Sequence, residues 1–190
     1  MAKNDARRVL LADAGIAVLA REGSRGLTHR AIDAEAGVPV GTASNYFRSR
    51  EALVAGIFER IGARLAPTPE DLEARSAALP SRELFADYLR DIVRRLLGER
   101  EVTLALFEMR LEAARHPDLA ASLSEWQRAG FAADVAFNES AGLPGGRREV
   151  ALFHYAVEGL VFDQLTSPID PSIPTDEVVD ALVAGLLPGR

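Results

Sequence analysis

Apolar residues recur along the chain at helical spacing, with no sustained alternation. Val9, Leu10, Ala14, Ala17 and Val18 line one face of a first helix, which Glu22-Gly23 and Gly26 bring to a stop. Thr28 is an N-cap for a short second helix over 29–36, ended by Gly37. Val38-Pro39 opens a third short helix reaching Tyr46, with proline in the first turn, where no intrahelical N–H is missed. Ser49 caps a fourth over 50–65, and Glu51 in its first turn suits the helix dipole. Residues 66–80 hold three prolines and read as a long connection with room for one helical turn. Periodicity resumes over 81–97, 100–115, 118–140, 147–166 and 175–187. Gly98, His116-Pro117, the 142–146 loop and the Pro168/Pro171/Pro174 cluster separate these segments. The pattern predicts about nine helices, four in a small head and five in a larger body.

Composition supports an all-α chain. Of 190 residues, 32 are Ala and 24 Leu, both strong helix formers, and only 12 are aromatic, so an all-β fold is excluded. Cysteine is absent, which removes disulfide scaffolds, thiolate zinc sites and cysteine nucleophiles. No apolar run approaches the roughly 18 residues of a membrane span. Asp5 and Asp13 bracket the short apolar stretch near the start, unlike a secretory signal. The expectation is a soluble cytoplasmic protein without membrane contact.

Charge divides the chain. Residues 1–65 carry ten Lys and Arg against seven Asp and Glu, a net +3, whereas the remainder carries a net −9. A mildly basic head on an acidic body is compatible with a polyanion bound through the head, and equally with chance unevenness.

The informative stretch runs from Leu27 to Phe47. Two helices of about seven residues joined at Gly37 have the spacing of a helix-turn-helix. Helices this short do not survive alone, so the first and fourth must wall them with Leu10, Ala14, Ala17, Leu53 and Ile57. Leu27, Ile32, Val38, Ala43 and Phe47 fill the shared core, leaving Val40, Gly41, Thr42, Ser44, Asn45 and Tyr46 outward. Thr and Ser bond base edges or phosphates, Asn bonds adenine bidentately, and Gly41 permits close backbone approach. The competing reading is a short polar helix on a solvated surface.

Residues 5–65 resemble the N-terminal domain of the tetracycline-repressor (TetR) family of transcription regulators. The likeness rests on Leu27-Thr28, the Ala36-Gly37-Val38 turn, Gly41-Thr42, Asn45-Tyr46-Phe47 and the following run Arg48-Ser49-Arg50-Glu51-Ala52-Leu53. It implies that Thr28 and Arg30 touch the phosphate backbone and that Val40, Thr42, Ser44 and Asn45 face base edges. Tyr46 matches a family tyrosine that bonds a phosphate, and Arg50, where lysine is usual, would meet one at a helix N-terminus. Lys3 and Arg7 or Arg8 are candidates for further contacts from an N-terminal arm. Asp33 departs from the family, which has a small apolar residue there. The backbone N–H groups opening the third helix are its candidate partners. The implied division is a DNA-binding domain over 1–48, a connecting helix over 49–65, and an effector-binding and dimerisation domain over 49–190.

In the body, Val150, Phe153, His154, Val157, Leu160, Val161 and Leu165 form one apolar stripe. Val178, Val179, Leu182, Val183, Leu186 and Leu187 form another. They read as a homodimer seam through helices 147–166 and 175–187, or as core within one subunit. The resemblance favours the seam, since dimers of that family pair these helices into a four-helix bundle, and two-fold dimers fit palindromic double-stranded DNA. It also implies a pocket for a hydrophobic small-molecule effector, with Phe107, Glu108, Arg110, Leu111, Trp126 and Phe131 as candidate lining. The alternative there is core packing, with Glu108 bonded to Arg110, Arg115 or Arg128.

The reading is a ligand-responsive repressor of transcription, with an effector-independent DNA binder as the alternative. A helical enzyme is the distant third. His29, His116 and His154 lie far apart, and Glu112 and Asp118 beside His116 are the only cluster with ligand chemistry. No metal, cofactor or catalytic residue is expected.

Overall fold

A computed structural model describes residues 2–187; the side chains of Ala2, Lys3 and Ser76 lie outside it. Among the described residues there are ten helices and no strand. They fall into two compact units, residues 1–66 with 99–126 and residues 67–98 with 127–190. These units are a different cut from the functional division at residue 49.

The first unit contains α1 (Ala2–Gly26), α2 (His29–Glu35), α3 (Thr42–Tyr46), α4 (Arg50–Leu65), α7 (Arg100–Ala113) and the start of α8 (Pro117–Ser140). Its core gathers Leu11, Ile16 and Leu19 of α1, Ile32 of α2, Phe47, and Leu53, Ile57, Phe58 and Ile61 of α4. Val102, Ala105 and Met109 of α7 join the same core, so α7 packs along α1. Each such large side chain contributes about 1.5–3 kcal/mol relative to exposure, which two isolated helices of five and seven residues cannot supply. Trp126 stacks on Phe58 with ring centroids 5.5 Å apart and closes one edge.

Two boundaries differ from the sequence reading. The first helix continues past Gly23, whose φ of 69° kinks it, and ends at Gly26. The third helix starts at Thr42 rather than Val38, because Gly41 stands at its N-cap in a left-handed conformation, φ 92°. Only glycine adopts that conformation without strain.

The second unit holds α5 (Pro69–Ser76), α6 (Arg82–Gly98), the rest of α8, α9 (Arg147–Thr166) and α10 (Thr175–Leu186). The proline-rich connection thus contains two turns of helix. Thr68 accepts from Asp71 N–H, and Asp71 accepts from Thr68 N–H, a reciprocal cap with Pro69 at the first position. Phe85 of α6 meets Phe153 of α9 at 4.9 Å. Buried Asp91 is compensated by Arg75 at 3.2 Å and Arg95 at 2.9 Å.

The stripes that read as a dimer seam are instead largely this unit's own core. Val150, Phe153, Val157, Val161 and Leu165 of α9, with Val179 and Val183 of α10 and Leu187, are buried within the chain. Their periodicity was real; α6 is the partner that covers both helices. His154 belongs to the same packing, with Nε2 3.0 Å from Asp134 and its ring edge-on to Phe131.

A Cβ at Gly56 would lie 2.5 Å from Cε1 of Phe47. Gly56→Ala should therefore destabilise the first unit by about 1–3 kcal/mol in urea unfolding followed by Trp126 fluorescence. At the start of α9, Glu149 accepts the Gly146 N–H at 2.9 Å, which holds its carboxyl below the ordinary value. A depressed folded pKa contributes stability above the unfolded pKa and loses it as pH falls through the folded one. Unfolding of the second unit, tracked by circular dichroism from about pH 6 to about pH 3, should show a loss that Glu149→Gln makes smaller.

Candidate nucleic-acid interface

The outward face of α2 and α3 depends on a buried carboxylate. Asp33 is 1% exposed, near the end of α2. Its Oδ2 accepts the Gly41 N–H at 2.7 Å and its Oδ1 accepts the Ala43 N–H at 2.7 Å. Those are two of the orphan donors at the start of α3, which has no side-chain cap of its own. The carboxylate therefore replaces the cap and ties the two helices at a fixed crossing. Between them Gly37, φ 62°, turns the chain, and Val38 N–H returns to the Asp33 carbonyl at 3.0 Å.

This leaves a defined set of groups outside. Val40 is 82% exposed. Ser44 and Asn45 are exposed, Gly41, Thr42 and Tyr46 are half-buried, and Ala43 and Phe47 point into the core. The Thr42 and Ser44 hydroxyls donate to the carbonyls of Pro39 (2.6 Å) and Gly41 (2.9 Å), so their orientation is fixed. Thr28 is exposed and caps α2 by accepting the Ala31 N–H at 3.1 Å; Arg30, two residues on, is exposed. Arg50, at the N-terminus of α4, donates to the Ser24 hydroxyl at 3.3 Å. All nine residues expected at a DNA surface thus lie in one compact unit.

Ser24 carries a second link. Its backbone N–H, freed by the kink at Gly23, is accepted by Glu108 of α7 at 3.1 Å. Glu108 is therefore bonded to the main chain of the α1 kink. The periodicity that put Glu108 beside an apolar face gave no sign of this partner. The other pocket candidates divide between the two units. Leu111 is 51% exposed, Phe107 and Arg110 are half-buried on α7, and Trp126 covers Phe58. Phe131 lies in the second unit under the Arg147 guanidinium, 4.6 Å from the ring centroid. His116 bonds Glu112 at 3.1 Å at the α7–α8 turn. Among the described residues no group of three His, Cys, Asp or Glu is arranged to hold a metal. Among the same described residues no helix is long and apolar enough to cross a membrane.

Comparison with known proteins decides the family. Residues 11–57 match the model of bacterial regulatory proteins of the tetR family, and residues 80–189 match that of the tetracyclin repressor-like C-terminal domain. The chain belongs to the TetR family. It is a DNA-binding transcriptional regulator and not an enzyme. Among solved structures it is similar to the multidrug binding protein EbrR complexed with imidazole, at 26% identity over 97% of this chain and 96% of that one, TM-score 0.67. A TetR-family member from Streptomyces coelicolor A3 shares the fold at 24% identity over 96% and 99% of the two chains, TM-score 0.71. So does FadR from Bacillus subtilis in complex with stearoyl-CoA, at 17% identity over 95% and 98%, TM-score 0.71. No curated protein matches.

Removing the Asp33 carboxylate should strip this TetR head of its α3 cap. Asp33→Ala leaves two N–H groups unanswered and should cost roughly 2–4 kcal/mol in denaturant unfolding of the first unit. Asp33→Asn, which keeps one acceptor, should lose less. Equal stability of Asp33→Ala and wild type would contradict the capping role.

Proposed function

We propose that this protein is a repressor released from a palindromic operator by a small-molecule effector. Residues 1–48 read the DNA, the helix over 49–65 connects, and 49–190 carry the effector and dimer functions. The observation that carries the reading is the exposed face of α3, held rigid from behind by Asp33. Val40, Thr42, Ser44 and Asn45 meet base edges there, with Gly41 allowing the backbone close. Thr28, Arg30, Tyr46 and Arg50 hold phosphates around them.

A single reading helix of five residues covers few base pairs, so specificity requires two heads on half-sites. Helices 147–166 and 175–187 supply the homodimer seam, through a face other than the one they bury. On α9, Tyr155 is 70% and Phe162 47% exposed, and with Gly159 between them they form an outward stripe at helical spacing. Apolar surface of that kind is expected at an interface between copies of one chain.

An effector reading is supported by the similar proteins, since EbrR is a multidrug binding protein and FadR is seen with stearoyl-CoA. A hydrophobic molecule against α7 and α8, near Phe107, Arg110 and Trp126, would act on helices that share the core of the DNA-reading unit. Release requires that it bind the two head arrangements with different affinity. The protein acts in the cytoplasm, where the operator is.

Selection from a random DNA pool tests the reading. Enrichment of a two-fold palindrome is the expected result; no enrichment at moderate salt would overturn it in favour of a nonspecific binder. On the enriched site, Tyr46→Ala and Arg50→Ala should weaken binding to every sequence and each lower the salt slope by about one. Asn45→Ala should relax one base position per half-site, costing roughly 1–3 kcal/mol there.

A further inference from the structure

Arg8 is half-buried on α1 and turned toward α3. Its Nη1 donates to the Tyr46 carbonyl at 3.4 Å, and its guanidinium carbon lies 4.6 Å from the centroid of the Phe47 ring. Phe47 itself is fully buried, with its ring edge against Gly56 of α4. The Tyr46 carbonyl is one of the last acceptors of α3, where a helix leaves carbonyls unanswered and favours a cation. Arg8 supplies both, and the ring face beneath adds a cation–π contact. Asp33 at the start of α3 and Arg8 at its end thus hold this short helix from opposite ends.

The surroundings of Arg8 favour this role over a phosphate contact. A cleft of about 280 Å³ runs between α1 and α3, lined by Asn4, Asp5, Arg8, Asn45 and Tyr46. The Asp5 carboxylate in that lining repels a phosphate entering beside Arg8. The guanidinium is committed inward, to a carbonyl and a ring. Asn45 shares the cleft wall and immediately precedes the residue whose carbonyl Arg8 holds.

We infer that Arg8 is a positioning residue for sequence discrimination: it clamps the C-terminal end of α3 so that Asn45 meets its base edge in register. The inference rests on the proposed function, since it needs α3 to read bases. A helix of little more than one turn that is fixed only at its start swings at its end, and a small swing at Asn45 misaligns a bidentate contact. Discrimination then falls while the phosphate contacts, made by other residues, persist.

Fluorescence anisotropy with the full-length protein tests this on two duplexes, the site enriched by wild type and a scrambled duplex of equal length, across a salt series. Arg8→Met should lower the ratio of the two affinities by about tenfold. The salt slope on either duplex should stay at the wild-type value. Arg8→Lys, which keeps a cation above the ring and one donor, should recover most of the ratio. If Trp126 fluorescence shows that Arg8→Met unfolds the first unit, Arg8→Gln, which stays polar but has no cation and is too short to reach the Tyr46 carbonyl, carries the same comparison. Equal weakening on both duplexes with a slope smaller by about one would make Arg8 a phosphate ligand and overturn the inference. So would a ratio unchanged from wild type. If wild type itself binds both duplexes alike, the proposed function falls and takes this inference with it, a result distinct from failure of the Arg8 variants alone.

Discussion

One carboxylate fixes the part of this molecule on which its function depends. A five-residue helix makes almost no internal hydrogen bonds beyond its first turn, so its N-terminal donors must be answered from elsewhere or the segment remains a loop. Asp33 answers two of them at 2.7 Å each, from a position on α2 that is closed to water. Burying a charge is costly unless it is fully bonded, and here the bonds and the position of α3 are the same thing. The helix cannot drift without exposing the carboxylate to an apolar core or leaving amides bare. A small apolar residue in place of Asp33 would fit the crossing by shape alone; the aspartate fixes it by geometry.

The rest of the first unit serves that arrangement. α1 and α4 wall the two short helices, Gly56 lets the Phe47 ring come close, and α7 seals the far side with Val102, Ala105 and Met109. Where α1 kinks at Gly23, the freed Ser24 amide is taken by Glu108 from α7, while the Ser24 hydroxyl receives Arg50 from α4. Three helices thus converge on one buried serine, 3% exposed. A displacement of α7 would be felt at the kink and at Arg50 through hydrogen bonds rather than through compliant apolar contacts. It is a discrete linkage between α7 and the DNA-binding head.

The second unit follows a different logic. It covers α9 and α10 with α6, and it compensates its buried Asp91 with Arg75 and Arg95. The buried members of the apolar stripes are not available for another subunit. What remains outside on α9 is Tyr155 and Phe162, two large rings on a face where monomeric proteins usually place polar residues.

The sequence by itself determined the all-helical fold, most of the helix boundaries and the helix-turn-helix segment, because these are written in local terms. Thr28 and Ser49 cap helices as their side chains dictate, and Gly37 turns the chain because its φ is positive. The outward set from Val40 to Tyr46 follows from spacing once Ala43 and Phe47 are inside. Even the role of Asp33 was legible, since a carboxylate at a helix crossing needs donors and the nearest were eight and ten residues away. Only the tertiary structure decided which partner each apolar face meets. Periodicity marks a face as buried but not by what, so the α9 stripe looks the same whether α6 or a second chain covers it. The same limit hid the partners of Glu108 and Arg8, whose contacts lie 84 and 38 residues away in the chain. A long charged side chain has no local preference that fixes where its tip goes; only packing of the helices around it brings a kinked amide or a helix-ending carbonyl within reach.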